Sequence, residues 1–148
     1  MKIIVLKFGG TSVGTLNRIK KAASIIISYV KKNYKVIVVT SAMSGVTNDL
    51  IAKSKQISVD FDKSEYDVLV SSGEQISCAL ISGSLKNLGY NSKSFLGWQV
   101  PILTDMNHGN AKIVSIYQKE ILKFLKSGGI PIIAGFQGLN LKKRVTAL

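Results

Sequence analysis

Short apolar runs alternate along this chain with longer segments whose apolar residues recur at helical spacing. The runs 2–8, 36–40 and 130–136 are almost wholly apolar, which is typical of strands in a parallel sheet that is covered on both faces. Between the first two runs, the segment 16–32 places its apolar residues along one stripe of an amphipathic helix. This alternation predicts an α/β fold, a three-layer sandwich with a mostly parallel sheet and right-handed crossovers.

The remaining elements follow the same alternation. We predict helices over about 47–57, 66–88 and 117–125, strands over about 91–96 and 112–116, and a last strand that begins near residue 143. We predict that the charged stretch 60–65 links the first two of these helices, that Gly89 ends the second, and that 97–112 is mostly loop.

Three of the predicted strands end in turns of small residues. These turns are Gly9-Gly10, the segment 41–45 and the segment 135–138. In open α/β sheets, ligands bind beyond the carboxyl ends of the strands. We therefore expect the functional residues to gather at these turns.

The basic character of the chain points to small anions. The net charge is +12, yet only Arg18 and Arg144 of the 20 basic residues are arginines. Because nucleic-acid-binding proteins rely on arginine forks and stacking aromatic rings, we predict no nucleic-acid partner. The positive potential still favours anionic ligands.

Cysteine content and hydropathy predict a cytoplasmic protein without a membrane partner. Cys78 is the only cysteine, which excludes an internal disulfide and fits a reducing compartment. No apolar run is long enough to cross a bilayer. Only four apolar residues separate Lys2 from Lys7, too few for the core of a signal peptide.

Lys7 and the two glycines after it form the first candidate site. A lysine at the end of a buried strand is costly to desolvate unless an anion meets it. Gly9 and Gly10 allow a ligand to approach the backbone closely, and a helix follows. These features predict a phosphate site; the alternative is a tight turn with a lysine that reaches solvent.

Two further segments carry polar side chains suited to a ligand. Ser41, Ser44 and Thr47 surround Gly45 directly before a helix. Either Ser44 or Thr47 caps that helix, or the hydroxyl groups bind a small polar substrate or a phosphate oxygen. Glu74 lies between apolar stretches; it either grips an ammonium group or a metal, or faces solvent.

Three isolated residues are given structural roles. His108 has no partners for a metal site or a triad, so we expect a hydrogen-bonded loop histidine. We expect Trp98 to anchor packing and Cys78 to lie in the core.

Six short motifs occur in one order along the whole chain. They are "KFGGTSV" at 7–13, "SAMSGVTN" at 41–48, "SGEQIS" at 72–77, "GWQ" at 97–99, "HGNAK" at 108–112 and "AGFQG" at 134–138. This set closely resembles the aspartokinases of the amino acid kinase superfamily.

The resemblance implies transfer of the γ-phosphoryl group of ATP to the side-chain carboxylate of L-aspartate. The product is 4-phospho-L-aspartate, in the first step of lysine, threonine and methionine biosynthesis. Mg²⁺ would be held through the nucleotide, so no metal-binding residue is assigned. Because the aspartate carboxylate is itself the nucleophile and is ionised at neutral pH, no general base is needed.

The resemblance also assigns roles by position. Lys7 is the catalytic residue that neutralises the transferring phosphoryl group. Phe8, Gly9 and Gly10 form the phosphate-binding loop, and Ser41 lies near the nucleotide phosphates.

The substrate-binding residues implied by the resemblance are Thr47 and Glu74, with Glu74 as the partner of the α-ammonium group of aspartate. The chain departs from the family at two places. Lys112 stands where members usually carry arginine, and Val100-Pro101 replaces a smaller pair.

By the same resemblance, residues 1–148 form the N-terminal part of a kinase domain, without the nucleotide-binding half and the regulatory ACT domains. We therefore expect an open sheet edge, an uncovered face, and poor solubility or a need for a partner chain. The complete protein is expected to form homo-oligomers. The alternatives are another kinase of the superfamily and a non-catalytic fragment that binds aspartate or a partner.

Overall fold

The computed structural model describes residues 2–148. In chain order, the elements are β1 (Lys2–Phe8), a 3-10 helix (Gly10–Val13), α1 (Leu16–Lys31), β2 (Tyr34–Thr40), α2 (Val46–Ile57), α3 (Lys63–Asn87), β3 (Ser92–Phe95), β4 (Ile102–Thr104), β5 (Ile113–Ile116), α4 (Lys119–Lys126), β6 (Ile130–Ala134), β7 (Gln137–Leu139) and β8 (Val145–Ala147). The predicted alternation of strands and helices is confirmed.

The main sheet is parallel and has the strand order β1-β2-β6-β3. Helices α1 and α3 cover one face, where Ile26 and Ile81 pack against Val38 in the larger core cluster. On the opposite face, Ile121 of α4 belongs to a smaller cluster with Ile133 of β6. The predicted three-layer sandwich is therefore confirmed.

A second, mixed sheet has the order β5-β4-β7-β8. The pairs β4–β5 and β7–β8 are antiparallel, whereas β4 and β7 are parallel. The prediction that 97–112 is mostly loop misses β4, a strand of only three residues that follows Pro101. The predicted strand 130–136 also ends early, because Phe136 adopts a positive φ of 59° and turns the chain from β6 into β7.

One face of β1 is uncovered. Ile4, Leu6 and Phe8 point into the core, but Ile3 is 44% exposed and Val5 is 58% exposed. The prediction that this strand is covered on both faces is therefore wrong. Since β1 is also an edge strand, the predicted open edge and uncovered face both occur here.

Helix α3 begins earlier than predicted because Asp62 caps it. The Asp62 carboxylate accepts hydrogen bonds from the backbone N–H groups of Ser64 and Glu65, at 2.9 and 3.0 Å. Hydrogen bonds from Ser64 and Glu65 also hold the pKa of Asp62 below its ordinary value. The predicted linker 60–65 is therefore too long. Within residues 2–148, no helix has both the length and the apolar character needed to cross a membrane.

Candidate functional site

A cavity of about 320 Å³ lies beyond the carboxyl end of β2, beside the start of α2 and the middle of α3. Four of the predicted site residues line it: Gly10, Ser41, Thr47 and Glu74. These residues come from three separate segments of the chain, around Gly10, 41–48 and Glu74. Their meeting at one cavity agrees with the expectation that functional residues gather at this edge of the sheet.

The strand ends around the cavity are held together by backbone hydrogen bonds. The N–H of Ser41 donates to the carbonyl of Phe8 over 3.0 Å, and the N–H of Gly135 donates to the carbonyl of Thr40 over 2.9 Å. The ends of β1, β2 and β6 are therefore fixed relative to one another.

The remaining predicted phosphate residues lie outside the cavity lining. Phe8 has its side chain buried in the core, so only its backbone is available near the site. Lys7 is exposed and shares the uncovered face of β1 with Ile3 and Val5. The role assigned to Lys7 stays a prediction.

The two glycines after β1 serve different purposes. A Cβ atom on Gly10 would lie 3.1 Å from the carbonyl oxygen of Ala42, closer than side chains normally approach. A Cβ on Gly9 would meet nothing within 4 Å, and its φ of −77° suits any residue. Gly10 is therefore needed for close packing of the two turns, whereas Gly9 leaves open space at the strand end.

Helix α2 begins at the cavity without a side-chain cap. Its N-cap is Gly45, in the left-handed conformation with φ of 87°, and no side chain accepts a capping hydrogen bond there. The capping alternative for Ser44 and Thr47 is therefore wrong. Both residues line the cavity instead, where their hydroxyl groups are suited to bind a polar ligand.

The Glu74 side chain is buried at the cavity, and only one of its two carboxylate oxygens has a hydrogen-bond partner within residues 2–148. Its residue exposure is 3%, so the solvent-facing alternative is wrong. Oε1 accepts a hydrogen bond from the N–H of Ala42 over 3.0 Å, whereas Oε2 is buried with no hydrogen-bond partner among residues 2–148. Burial raises the pKa of this carboxyl above its ordinary value of 4.5, and the Ala42 hydrogen bond opposes the rise.

Ser77 fixes the turn that carries Ser41. The Ser77 hydroxyl donates to the Ser41 carbonyl over 2.6 Å and also lies 3.2 Å from the Glu74 carbonyl oxygen. Together with the Ala42–Glu74 hydrogen bond, this contact ties α3 to the end of β2. These hydrogen bonds therefore fix the turn 41–45 against α3.

The family model that describes the amino acid kinase family matches residues 2–147. The chain belongs to the amino acid kinase family. It is 47% identical to the aspartokinase of Rickettsia felis over 151 residues, which cover all of this chain and 38% of that protein. It is also 47% identical to the aspartokinase of Geobacillus stearothermophilus over 148 residues, with 36% of that protein covered.

Solved structures share the same fold. The aspartate kinase from Synechocystis matches 99% of this chain at a TM-score of 0.80 and 33% identity, over 23% of that chain. Aspartokinase III of E. coli, solved in complex with aspartate and ADP, matches at a TM-score of 0.86 over 43% of that chain; its 23% identity supports the fold alone. The present chain spans little more than a third of the length of the curated relatives it matches.

Four further residues line the cavity, although the sequence predicts no role for them. They are Ala42, Met43, Asn48 and Phe136. Phe136 is a half-exposed aromatic residue at a positive φ, a conformation that is strained for a side chain of this size. Its motif "AGFQG" does carry a signal, but the glycines of that motif indicate only a turn.

Gln137 explains why two of the six motifs lie together. Its side chain is fully buried. Oε1 accepts from the N–H of Gly97 over 3.1 Å, and Nε2 donates to the carbonyl of Ser71 over 3.0 Å. Gln137 therefore joins the motifs "GWQ" and "AGFQG" to α3, which carries Glu74.

The expectation that His108 is a hydrogen-bonded loop histidine is confirmed. His108 Nδ1 lies 2.6 Å from Oδ2 of buried Asp67, whose Oδ1 accepts from the N–H of Gly109 over 2.8 Å.

The expectation that Trp98 anchors packing is wrong. Trp98 is exposed, because it follows Gly97 in a turn between β3 and β4. Lys112 is exposed too, and its N–H donates to Oδ1 of Asp105 over 3.2 Å, outside the cavity.

Cys78 lies in the core as expected. Its thiol donates to the carbonyl of Ile132 over 2.9 Å, and burial raises its pKa to about 12. No group of three His, Cys, Asp or Glu residues within 2–148 is arranged to hold a metal ion.

Proposed function

We propose that this chain is the N-terminal part of the kinase domain of an aspartokinase. The protein to which it belongs would transfer the γ-phosphoryl group of ATP to the side-chain carboxylate of L-aspartate. The observation that carries this proposal is the cavity in which Ser41, Thr47 and Glu74 meet. The 47% identity to aspartokinases over the whole chain supports the choice of substrate.

The cavity suits an amino acid with a polar side chain. Glu74 offers a buried oxygen, Oε2, that no protein group contacts within residues 2–148. An ammonium group would satisfy both the charge and the missing hydrogen bond of this carboxylate. The hydroxyl group of Thr47 supplies a donor for a carboxylate of the same ligand, and that of Ser41 supplies a donor for a phosphate oxygen of the nucleotide.

Phosphate binding is assigned to the end of β1. The backbone N–H groups near Gly9 and Gly10 would contact phosphate oxygens, and Lys7 would neutralise the charge on the group in transfer. A carboxylate oxygen of aspartate would attack the γ-phosphorus while the bond to the leaving ADP oxygen breaks. Because that carboxylate is already ionised, the reaction requires positioning and charge neutralisation, and no proton has to be removed.

ATP and Mg²⁺ would enter this site together. In the described part of the chain, Glu74 is the one carboxylate that lines the cavity, and a single carboxylate does not make a magnesium site. We infer that Mg²⁺ is held mainly through the nucleotide phosphates. The chain's own residues then bind and orient the two substrates.

Further parts of the protein are expected to complete the site. The nucleotide base would be bound by residues that correspond to the remaining two-thirds of the aspartokinase relatives, in the same or in another polypeptide. The uncovered face of β1, with Ile3, Val5 and Lys7, is suited to contact them. We also infer a homo-oligomer when the protein is complete, and a cytoplasmic location from the lone free Cys78.

Calorimetric titration of the chain with L-aspartate tests the proposed substrate site. Aspartate should bind, and Thr47→Val should weaken binding because it removes a hydroxyl from the cavity. Ser24→Ala is the control, since Ser24 lies on α1 and bonds only to the carbonyl of Lys20. Absence of aspartate binding would contradict the proposed site.

Co-expression tests the reaction. The chain is produced together with the part of the Rickettsia felis aspartokinase that follows the matched region, and ADP formation is measured with aspartate, glutamate and carbamate. ADP formation with aspartate, but not with glutamate or carbamate, supports the proposal. Aspartate binding without turnover favours a non-catalytic fragment, and turnover with another substrate favours a different kinase of the family.

A further inference from the structure

Among residues 2–148, no positive charge faces Glu74 at the cavity. The lining comes from the turn at Gly10, the turn 41–45, the start of α2, α3 and the turn at Phe136, and Glu74 is the single ionisable residue that these described segments contribute. Along α2 the first charged side chain is Asp49, an acid just beyond the lining. Lys7, at the end of β1, is exposed and also lies outside the lining.

A proton is the simplest partner for Glu74 when the cavity holds no cation. A buried carboxylate with one unsatisfied oxygen and no nearby positive charge is strongly disfavoured in its ionised form. Oε1 is already engaged as the acceptor of the Ala42 N–H. The proton would therefore reside on Oε2, the oxygen that no group contacts within residues 2–148.

We propose that Glu74 Oε2 exchanges a proton for an ammonium group, so that the protonation state of this carboxyl decides which class of ligand the cavity accepts. In the ionised state Oε2 accepts from an ammonium group, which selects α-amino dicarboxylates such as aspartate. In the protonated state Oε2 is a donor, which selects 2-oxo dicarboxylates such as oxaloacetate, because a ketone oxygen can accept a hydrogen bond but cannot donate one. This inference rests on the proposed aspartate site and concerns its selectivity.

The proton balance follows directly. When aspartate binds to the protonated cavity, the Oε2 proton leaves for solvent, and an N–H of the ammonium group takes its place. When oxaloacetate binds to the ionised cavity, a proton is taken up on Oε2 and donated in a hydrogen bond to the 2-oxo oxygen of oxaloacetate. Each ligand is thus linked to one proton, with opposite sign.

This linkage predicts opposite pH profiles. As pH increases toward the pKa of Glu74, aspartate affinity should rise by up to about tenfold per pH unit, and above that pKa it should level off. Oxaloacetate affinity should be level below the pKa and fall by up to the same factor above it. At a fixed pH, the ratio of the two affinities then reports the charge of Glu74.

Isothermal titration of the chain measures both affinity and proton exchange. Each ligand is titrated from pH 4.5, the ordinary pKa of the carboxyl, to about pH 8 in two buffers of different protonation enthalpy. The variants are Glu74→Gln, which keeps an acceptor for the Ala42 N–H but cannot ionise, and Glu120→Gln on α4, where the carboxylate is exposed. Glu120→Gln should behave as the wild-type chain does.

The expected result is release of up to one proton with aspartate at the acidic end and uptake of up to one proton with oxaloacetate at the basic end. Glu74→Gln should lose most aspartate affinity, and its oxaloacetate affinity should not vary with pH. If wild-type aspartate affinity is the same at every pH and independent of the buffer, the exchange is refuted while the aspartate site stands. If neither ligand binds at any pH, the proposed aspartate site fails together with the inference.

Discussion

Gly73 on α3 lies so close to Ala42 at the end of β2 that a Cβ atom on Gly73 would be 2.8 Å from the Ala42 Cβ. This contact lies directly beside the hydrogen bond from the Ala42 N–H to Glu74 Oε1. The absence of a side chain at Gly73 is therefore what allows α3 to approach the turn 41–45 and deliver Glu74 to the cavity.

We predict that Gly73→Ala separates α3 from this turn. Overpacking of this kind costs about 1–3 kcal/mol of unfolding free energy, and aspartate affinity should fall because the Ala42–Glu74 hydrogen bond lengthens. Gly83→Ala on the same helix is the matched control. Its Cβ would meet nothing within 4 Å, so it should stabilise the helix by about 0.5–1 kcal/mol. Urea unfolding measures the stability of both variants, and calorimetry measures their affinity for aspartate. Equal stability of the two variants would contradict the prediction.

Glu74→Gln should stabilise the chain at neutral pH in the absence of ligand. Burial raises the pKa of Glu74 above 4.5 in the folded state, so the folded state holds this proton more tightly than the unfolded state does. The stability that Glu74 contributes is full below pH 4.5 and is lost as pH rises through the folded pKa. The neutral amide that Glu74→Gln introduces does not ionise and therefore avoids this loss.

The measurement is the melting temperature of wild type and Glu74→Gln as a function of pH. The variant should melt higher at neutral pH, and the difference should shrink as the solution is acidified toward pH 4.5. The exposed variant Glu120→Gln should show no such convergence. A constant difference between Glu74→Gln and wild type at every pH would show that burial does not govern the ionisation of Glu74.

The layers of the fold could be predicted because both the strands and the covering helix carry clear apolar patterns. The main-sheet runs 36–40 and 130–134 are apolar on both faces, and α1 carries an unbroken apolar stripe. Strand β4 could not be predicted in the same way, since three residues after a proline show no reliable alternation. Its position is instead determined by pairing with distant β7 at Leu139.

The membership of the site could be predicted better than its geometry. Gly10, Ser41 and Thr47 follow from the rule that ligands bind where parallel strands end. The burial of Glu74 could not be read from local sequence, because it depends on the close approach of Gly73 to Ala42. Apolar residues on both faces of β1 likewise do not reveal that Ile3 and Val5 stay uncovered within this chain.

Cys78 should be unreactive in the folded chain. Burial raises the pKa of its thiol to about 12, so the reactive thiolate is scarce at neutral pH. As Cys78 is the only cysteine, labelling by a thiol reagent should follow unfolding of the core and should slow with any stabilising ligand. Rapid labelling in native buffer, at the rate of the chain unfolded in guanidinium, would be incompatible with this burial.

The uncovered face of β1 should limit the solubility of the chain. Val5→Thr preserves the shape of the side chain and makes this exposed sheet face more polar, which should raise the soluble fraction on expression and lower the tendency to self-associate. Val59→Thr is the matched control, because Val59 is 94% exposed in a loop and not on a sheet face. Equal gains from both variants would mean that the face of β1 is not the cause.

Lys7→Ala should reduce kcat far more than it raises the KM for aspartate in the complex reconstituted with the remainder of an aspartokinase. Lys7 lies outside the substrate cavity, so it is expected to act on the phosphoryl group in transfer and not on bound aspartate. Removal of one group that stabilises transition-state charge typically costs roughly 10²–10³-fold in kcat.

Lys2→Ala supplies the control for this loss, since Lys2 is exposed at the other end of β1 and its replacement removes the same charge from the same strand. Initial rates at varied aspartate and ATP separate the two constants. An unchanged kcat in Lys7→Ala would refute its catalytic role. A loss confined to the KM for aspartate would move Lys7 from the phosphate to the amino-acid side of the site.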